Sequence, residues 1–218
     1  MKVSDAKEQI LKRIRKGLNH KVQQPFPNID GQTSVYSSNH QSLEVQFAKS
    51  FTDLGGYFVY CDDVTEFVAN FKNLIAEKKW ENLICWDESL LKIFAAHNFE
   101  TIHNTKNIAA IEPCDAGITT CESLVARTGT ITLSSKQQSG RVLGIYPPIH
   151  IVIAFSEQVV NDLKDSLTLI KQKYPEQIPS LINFETGPSR TADIEKTLVV
   201  GVHGPKEVFV FLIDDAIA

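Results

Sequence analysis

LEVQFAKSFTDLGGYFVYCDDVTEFVANFKNLIAEKKWENLICW (43–86) is the stretch whose reading decides the fold. Leu43, Phe47, Phe51 and Leu54 step by four or three, the spacing of one helix face, and Gly55-Gly56 stops that helix. Tyr57–Tyr60 is an apolar run of strand length. Val64, Phe67, Val68, Phe71, Leu74 and Ile75 return to helical spacing, and Asn82–Trp86 is a second short apolar run. Apolar strands alternating with amphipathic helices predict an open α/β fold: a largely parallel sheet with helices on both faces.

The alternation continues outward in both directions. Residues 88–96 predict a third helix, Ile108–Ile111 a third strand and 120–128 a short helix. Strands are expected at Thr130–Ser134 and Ile149–Phe155. A helix is expected at 157–173, with Val159, Val160, Leu163, Leu167 and Ile170 facing inward. Strands at Ile182–Phe184 and Val208–Ile213 close the chain. Upstream, residues 4–19 form an amphipathic helix with Ser4 as N-cap, Ile10, Leu11, Ile14 and Leu18 on one face and Lys/Arg on the other. Residues 22–39 are polar, contain Pro25, Pro27 and Gly31, and read as a linker. The expected division is a helix arm and linker over 1–39 and one α/β domain over 40–218.

The 218 residues are 43% hydrophobic and 22% charged, an ordinary globular balance. A chain of this size buries roughly 70% of its unfolded surface, so its core needs no metal or disulfide. The net charge of −4 argues against a nucleic-acid partner, which would call for a basic face. The charge is uneven: Lys2, Lys7, Lys12, Arg13, Arg15, Lys16 and Lys21 face only Asp5 and Glu8 in the first 22 residues. A basic helix suits a membrane surface or a protein partner. Its short apolar face, without Trp or Phe, favours packing on its own domain or on a second subunit of a homo-oligomer. Cys61, Cys85, Cys114 and Cys121 form no C-x-x-C pair and no zinc or iron–sulfur spacing, so free thiols in a reducing compartment are expected. Neither a signal-like N-terminus nor a run of the roughly 20 apolar residues a membrane span requires is present, which points to the cytoplasm.

In open parallel sheets, ligands bind at the carboxyl ends of strands near a topological switch point, so loops that follow strands are the place to search. Three segments stand out. In Asp115–Thr130, Gly117 suits a turn, and Thr119 or Thr120 caps the predicted 120–128 helix, whose first N–H groups suit an anion. Gly129 would stop that helix, and capping alone also explains these residues. In Gly140–His150, Arg141 follows the polar run Ser134–Gly140 and offers a planar fork for a carboxylate or phosphate. His150 opens the next strand, either as a hydrogen-bonded structural residue or as an acid/base.

The third segment, Phe184–Glu195 followed by Leu198–Pro205, is the most informative. A strand runs into Gly187-Pro188, and Ser189, Arg190 and Thr191 then supply hydroxyls and a guanidinium ahead of Ala192–Glu195. This is anion-site chemistry. Asp193 and Glu195, two apart, face different ways on a helix and are no acid/base pair. Asp193 is left to orient a histidine, bind a metal or favour a helix N-terminus. His203 lies between Gly201 and Gly204. The catalytic candidates are therefore His203, Asp193 and His150. The ligand-binding candidates are Gly187, Ser189, Arg190, Thr191, Asp193, Arg141, Thr119, Thr120 and Gly204, and no metal ligands are assigned. No Walker A loop, G-x-G-x-x-G or G-x-S-x-G motif is present.

The run INFETGPSRTADIEKTLVVGVHGPKEVFVFLIDD (182–215) resembles the end of the lactate-utilization protein C family, whose shared unit is the LUD domain. GITTCESLVARTGTITLSS (117–135) and GRVLGIYPPIHIVI (140–153) resemble the same family in the same order. The resemblance implies an open α/β fold like that of the sugar-phosphate isomerase, deaminase and CoA-transferase group. It implies a component of L-lactate oxidation to pyruvate, acting with two iron–sulfur partner proteins; the donor-rich loops add the expectation of a small anionic ligand. The iron–sulfur clusters would sit in the partners and no cofactor in this chain, which would be a non-cluster subunit. The lack of a cluster-binding cysteine pattern agrees with the C-type member rather than the larger B-type. The resemblance carries no catalytic assignment. Two other readings stay open: a stand-alone isomerase or CoA-transferase-like enzyme on a phosphorylated or CoA-linked small molecule, and a noncatalytic scaffold docking through residues 4–19.

Overall fold

A computed structural model describes residues 5–19, 41–107, 109, 111, 113–191 and 199–214. The chain divides into two compact units, Met1–His40 and Gln41–Ala218. In the first, α1 spans Asp5–Leu18 and places Arg15 and Lys16 in its last turn, where cations complement the helix dipole.

The second unit begins with α2 (Leu43–Asp53), β1 (Tyr57–Cys61), α3 (Val64–Lys78), β2 (Leu83–Cys85), α4 (Glu88–Ala96), β3 (Ile102–His103) and β4 (Ala116–Thr119). It continues through β5 (Ser123–Val125), β6 (Thr130–Ser134), β7 (Ile149–Phe155), β8 (Val159–Val160), α5 (Leu163–Lys173), β9 (Ile182–Glu185), β10 (Arg190–Thr191), β11 (Val199–Val200) and β12 (Glu207–Ile213). Side-chain caps set the helix starts: Ser42 for α2, Asp63 for α3, Asp87 for α4 and Asp162 for α5 each accept a backbone N–H of the first turn.

Six strands form the main sheet in the order β1-β12-β7-β4-β2-β3, every pairing parallel. The long central strands β7 and β12 are buried along nearly their whole length, and alternate residues serve opposite faces. Ile151, Ile153, Phe155, Phe209, Phe211 and Ile213 pack with Phe67, Phe71, Leu90 and Phe94 from α3 and α4. Val152, Ala154, Val208, Val210 and Leu212 pack with Phe47 and Phe51 of α2 and with Leu124, Ile131 and Val159. The second face is therefore only partly helical. A four-stranded sheet, β8-β5-β6-β9, covers the rest of it. Its outer side receives α5, whose Ser166 Oγ meets Ser123 Oγ at 2.8 Å and Thr132 Oγ1 at 2.9 Å.

Several local expectations are corrected. No helix occupies 120–128: Ser123–Val125 is β5, paired antiparallel with β6, and residues 126–129 turn between them. Gly129 is that turn's residue at φ +59 rather than a helix stop. Gly117 lies inside β4, where a Cβ would come within 2.5 Å of the Leu143 carbonyl oxygen, so glycine lets a crossing segment lie against the strand. The third strand is Ile102–His103; of Ile108–Ile111, the described Ala109 lies in a 3₁₀ segment and Ile111 in a turn. The helix expected at 157–173 starts at Leu163, because Val159 and Val160 are a β-branched strand pair on β5. Leu167 is 37% exposed, so it does not face inward as the periodicity suggests.

Candidate functional site

The strongest site candidate forms where the four-stranded sheet meets the starts of the central strands. Strand β9 ends at Glu185, and the chain turns at Gly187 with φ +80. The next segment is stitched to the one before β12. Ser189 N–H donates to the Pro205 carbonyl, Gly201 N–H donates to the Ser189 carbonyl, and β10 pairs with β11. These two segments, with Gly144, Ile145 and Asn183, enclose a cleft of about 350 Å³.

Gly187, Ser189, Arg190, His203 and Gly204 all line this cleft, so five of the expected residues converge on one place. Ser189 brings a hydroxyl, His203 an exposed imidazole, and Arg190 a guanidinium. One Arg190 Nη donates to the Leu54 carbonyl, which anchors the side chain and leaves the rest of its fork for a ligand. The glycines serve the walls. A Cβ at Gly187 would lie 3.2 Å from the Leu54 carbonyl oxygen, and one at Gly204 would lie 3.0 Å from Ser189 Cβ.

The other candidates lie elsewhere. Thr191 sits beside the cleft in the hairpin, opposite Val199. Arg141 lines an adjoining recess that shares Gly144, Ile145 and Asn183 with the cleft, and its guanidinium donates to Ser180 Oγ. Asp193 falls outside the described residues. Thr119 is fully buried in β4, and Thr120 stands at the switch point between β2 and β4. There Thr120 donates to Asp87 Oδ2 at 3.2 Å and accepts from Gln137 Nε2 at 3.3 Å. With no helix at 120–128, neither threonine caps a helix start, and that basis for an anion site is gone.

The cleft's position departs from the rule that ligands sit beyond the carboxyl ends of the main strands. Gly144-Ile145 and His203–Pro205 run into the starts of β7 and β12. Among the described strands, β9 runs out into the cleft and belongs to the smaller sheet.

Sequence reading passed over Glu185. Opposite Ile131 on β6, it points toward the main sheet and is 8% exposed. Its Oε2 lies 2.7 Å from His150 Nδ1, and His150 Nε2 lies 2.8 Å from Thr119 Oγ1. A carboxylate only accepts, so Nδ1–H donates to Glu185; at Nε2 the ring meets the Thr119 hydroxyl, which can donate or accept. His150 and Thr119 are both 0% exposed, on the face of β7 and β4 turned to the small sheet. Among the described residues Glu185 Oε1 has no hydrogen-bond partner and is shielded, a state costing on the order of 1–3 kcal/mol. Glu185 lines the cleft, and Gly144 separates cleft from imidazole: a Cβ there would lie 3.3 Å from His150 Cε1. The available signal was an acid in the apolar strand Ile182–Glu185, since a buried acid demands a partner.

The four cysteines are free and buried. Burial pushes the thiols of Cys85 to about 12 and Cys114 to about 11, and raises those of Cys121 and Cys61 as well. None is a poised thiolate. Among the described residues no helix is long and apolar enough to cross a membrane.

Fold and site together define an open α/β protein with a small cleft, rich in hydrogen-bond donors, over a buried hydroxyl–imidazole–carboxylate chain. The family model for the LUD domain matches residues 2–213, and the chain belongs to that family. Lactate utilization protein C of Bacillus licheniformis is 38% identical over 112 residues, covering 50% of this chain and 47% of that protein. The protein of that name from Shouchella clausii is 34% identical over 145 residues, covering 62% and 63%. That from Bacillus subtilis is 38% identical over 112 residues, covering 50% and 47%. The chain thus matches between about half and under two thirds of these relatives' length. A crystal structure of a DUF162 family protein from Deinococcus radiodurans superposes with a TM-score of 0.60 at 18% identity, over 78% of this chain and 96% of that one. That likeness supports the fold.

Proposed function

We infer that this protein serves lactate utilization by binding a small carboxylate in the cleft between Gly187–Arg190 and His203–Pro205. Electron transfer would fall to iron–sulfur partner proteins, with no cofactor in this chain. The observation that carries the reading is the convergence of Ser189, Arg190 and His203 on one cleft in a LUD-domain chain. Arg190 supplies charge, and the hydroxyl and imidazole supply directed donors. Four free, buried thiols suit a reducing compartment, in keeping with a cytoplasmic site of action.

Two measurements test this. Calorimetric titration of the full chain with L-lactate is expected to show saturable binding, weakened about ten-fold or more by Ser189→Ala combined with His203→Ala. Reconstitution with the iron–sulfur partners is expected to give lactate-dependent electron transfer that falls when this chain is left out. Undiminished transfer without it would remove the functional assignment.

A further inference from the structure

We propose that Glu185 is the residue by which the cleft selects a 2-hydroxy carboxylate over the corresponding 2-oxo carboxylate, with His150 and Thr119 as its positioning residues. The proposal rests on the carboxylate-binding reading above and adds the ligand's second functional group.

The chain Thr119–His150–Glu185 fixes one carboxylate oxygen and leaves the other unmet. Oε2 is held by His150 Nδ1 at 2.7 Å, and the imidazole is held in turn by Thr119 at 2.8 Å. A purely structural buried network would use both oxygens, because an unmet one weakens it. Among the described residues Oε1 has no partner; it is shielded from solvent, and it belongs to a residue that is 8% exposed and lines the cleft. Around it the lining offers donors in the Ser189 hydroxyl, the Arg190 fork and the His203 ring, beside the Asn183 amide, which both donates and accepts. The Glu185 carboxylate differs from these in that it only accepts. A ligand matching this set carries an anionic group for the donors and a hydroxyl hydrogen for the acceptor.

A hydroxyl on the carbon next to the ligand's carboxylate meets that requirement. The carboxylate takes the donor side, and the hydroxyl donates to Oε1 as the Glu185 carboxyl turns toward the cleft about its bond to His150. A ketone at the same carbon has no hydrogen to give and sets its oxygen lone pairs against the carboxylate. A site built to hydrogen-bond a hydroxyl rejects the analogue lacking it more strongly than an apolar pocket would. The covalent structure of the ligand is unchanged throughout; the inference concerns recognition alone.

The test is calorimetric titration of the full chain with L-lactate and with pyruvate, for the parent, Glu185→Gln and Ser189→Ala. The parent is expected to bind lactate about ten-fold or more tightly than pyruvate. Glu185→Gln should lose most of that preference, since the amide can donate to a ketone. Ser189→Ala should weaken both ligands alike. Equal binding of both by the parent, or full preference kept in Glu185→Gln, would overturn the assignment while leaving the carboxylate site standing. Absence of binding by either would overturn both. A readout on the unmodified chain guards against misfolding of the variant. The His150 imidazole nitrogen resonances should shift with lactate and stay put with pyruvate; no response to lactate refutes the role of Glu185.

Discussion

Gly129 combines two constraints at a single residue. Its φ of +59 is left-handed, and a Cβ there would lie 2.5 Å from the Phe51 backbone nitrogen. Gly140 shares the left-handed φ, at +64, but a Cβ there meets nothing within 4 Å. Alanine at 140 is expected to cost about 1 kcal/mol from backbone strain alone. Alanine at 129 must also push α2 off the hairpin and is expected to cost roughly 2–4 kcal/mol. Urea midpoints of the two variants decide the matter, and equal losses would show that α2 does not press on Gly129. The thiols give a second residue-level expectation. Because burial holds Cys85 near 12 and Cys114 near 11, a thiol-specific reagent should label the native protein slowly and all four cysteines together on unfolding. One fast-reacting thiol in native protein would contradict this placement. Of the candidate residues, those legible in advance shared a local signature, donors beside special-backbone positions near Gly187 and Gly204. Glu185 and His150 find each other across 35 residues of sequence, and no local pattern announces such a partnership.

At the scale of elements, α5 shows how tertiary pairing overrides local periodicity. Val159, Val160 and Leu163 mimic a helix face, but β5 recruits the two valines and Asp162 begins the helix instead. The 120–128 stretch departs from its local pattern for a related reason. Leu124, Val125 and Ala126 suit a helix in isolation, while the alternation of Ser123 and Thr132 against Leu124 and Ile131 is visible only once β5 and β6 are paired. Asp162 also grips Arg127 through two bonds of 2.9 Å. The guanidinium holds this carboxyl below its ordinary value of 3.8. A depressed folded-state value means the stabilisation is present above the unfolded value and is lost as pH falls through the folded one. Asp162→Asn keeps a capping oxygen but loses the charge. It is expected to flatten the acid limb of the stability profile below about pH 4 and to cost less at neutral pH than Asp162→Ala, which also forfeits roughly 1 kcal/mol of capping. An unchanged acid limb in the Asn variant would mean the ion pair contributes nothing to the pH dependence.

Over the whole second unit, β7 and β12 are legible because both their faces are buried, so all but His150 and the leading Glu207 are apolar. What such runs do not reveal is the identity of the cover. Helices and a second sheet make the same demand on the strand beneath, and here α3 and α4 cover one face while α2 and the four-stranded sheet share the other. The adjacent residues Val210 and Phe211 probe the two layers separately. Phe211 meets Phe67 and Phe71 edge-on at 5.4 Å each, so Phe211→Ala is expected to cost about 3–5 kcal/mol. Val210 packs toward α2 and the small sheet, and Val210→Ala is expected to cost about 2 kcal/mol. Since both layers share the central strands, each variant should lower the midpoint of one common unfolding transition seen by circular dichroism and by tryptophan fluorescence. If Val210→Ala instead produced an early transition seen by circular dichroism alone, the small sheet would be unfolding independently of the parallel sheet. The cleft, built where the two sheets meet, would then be lost before the core beneath it.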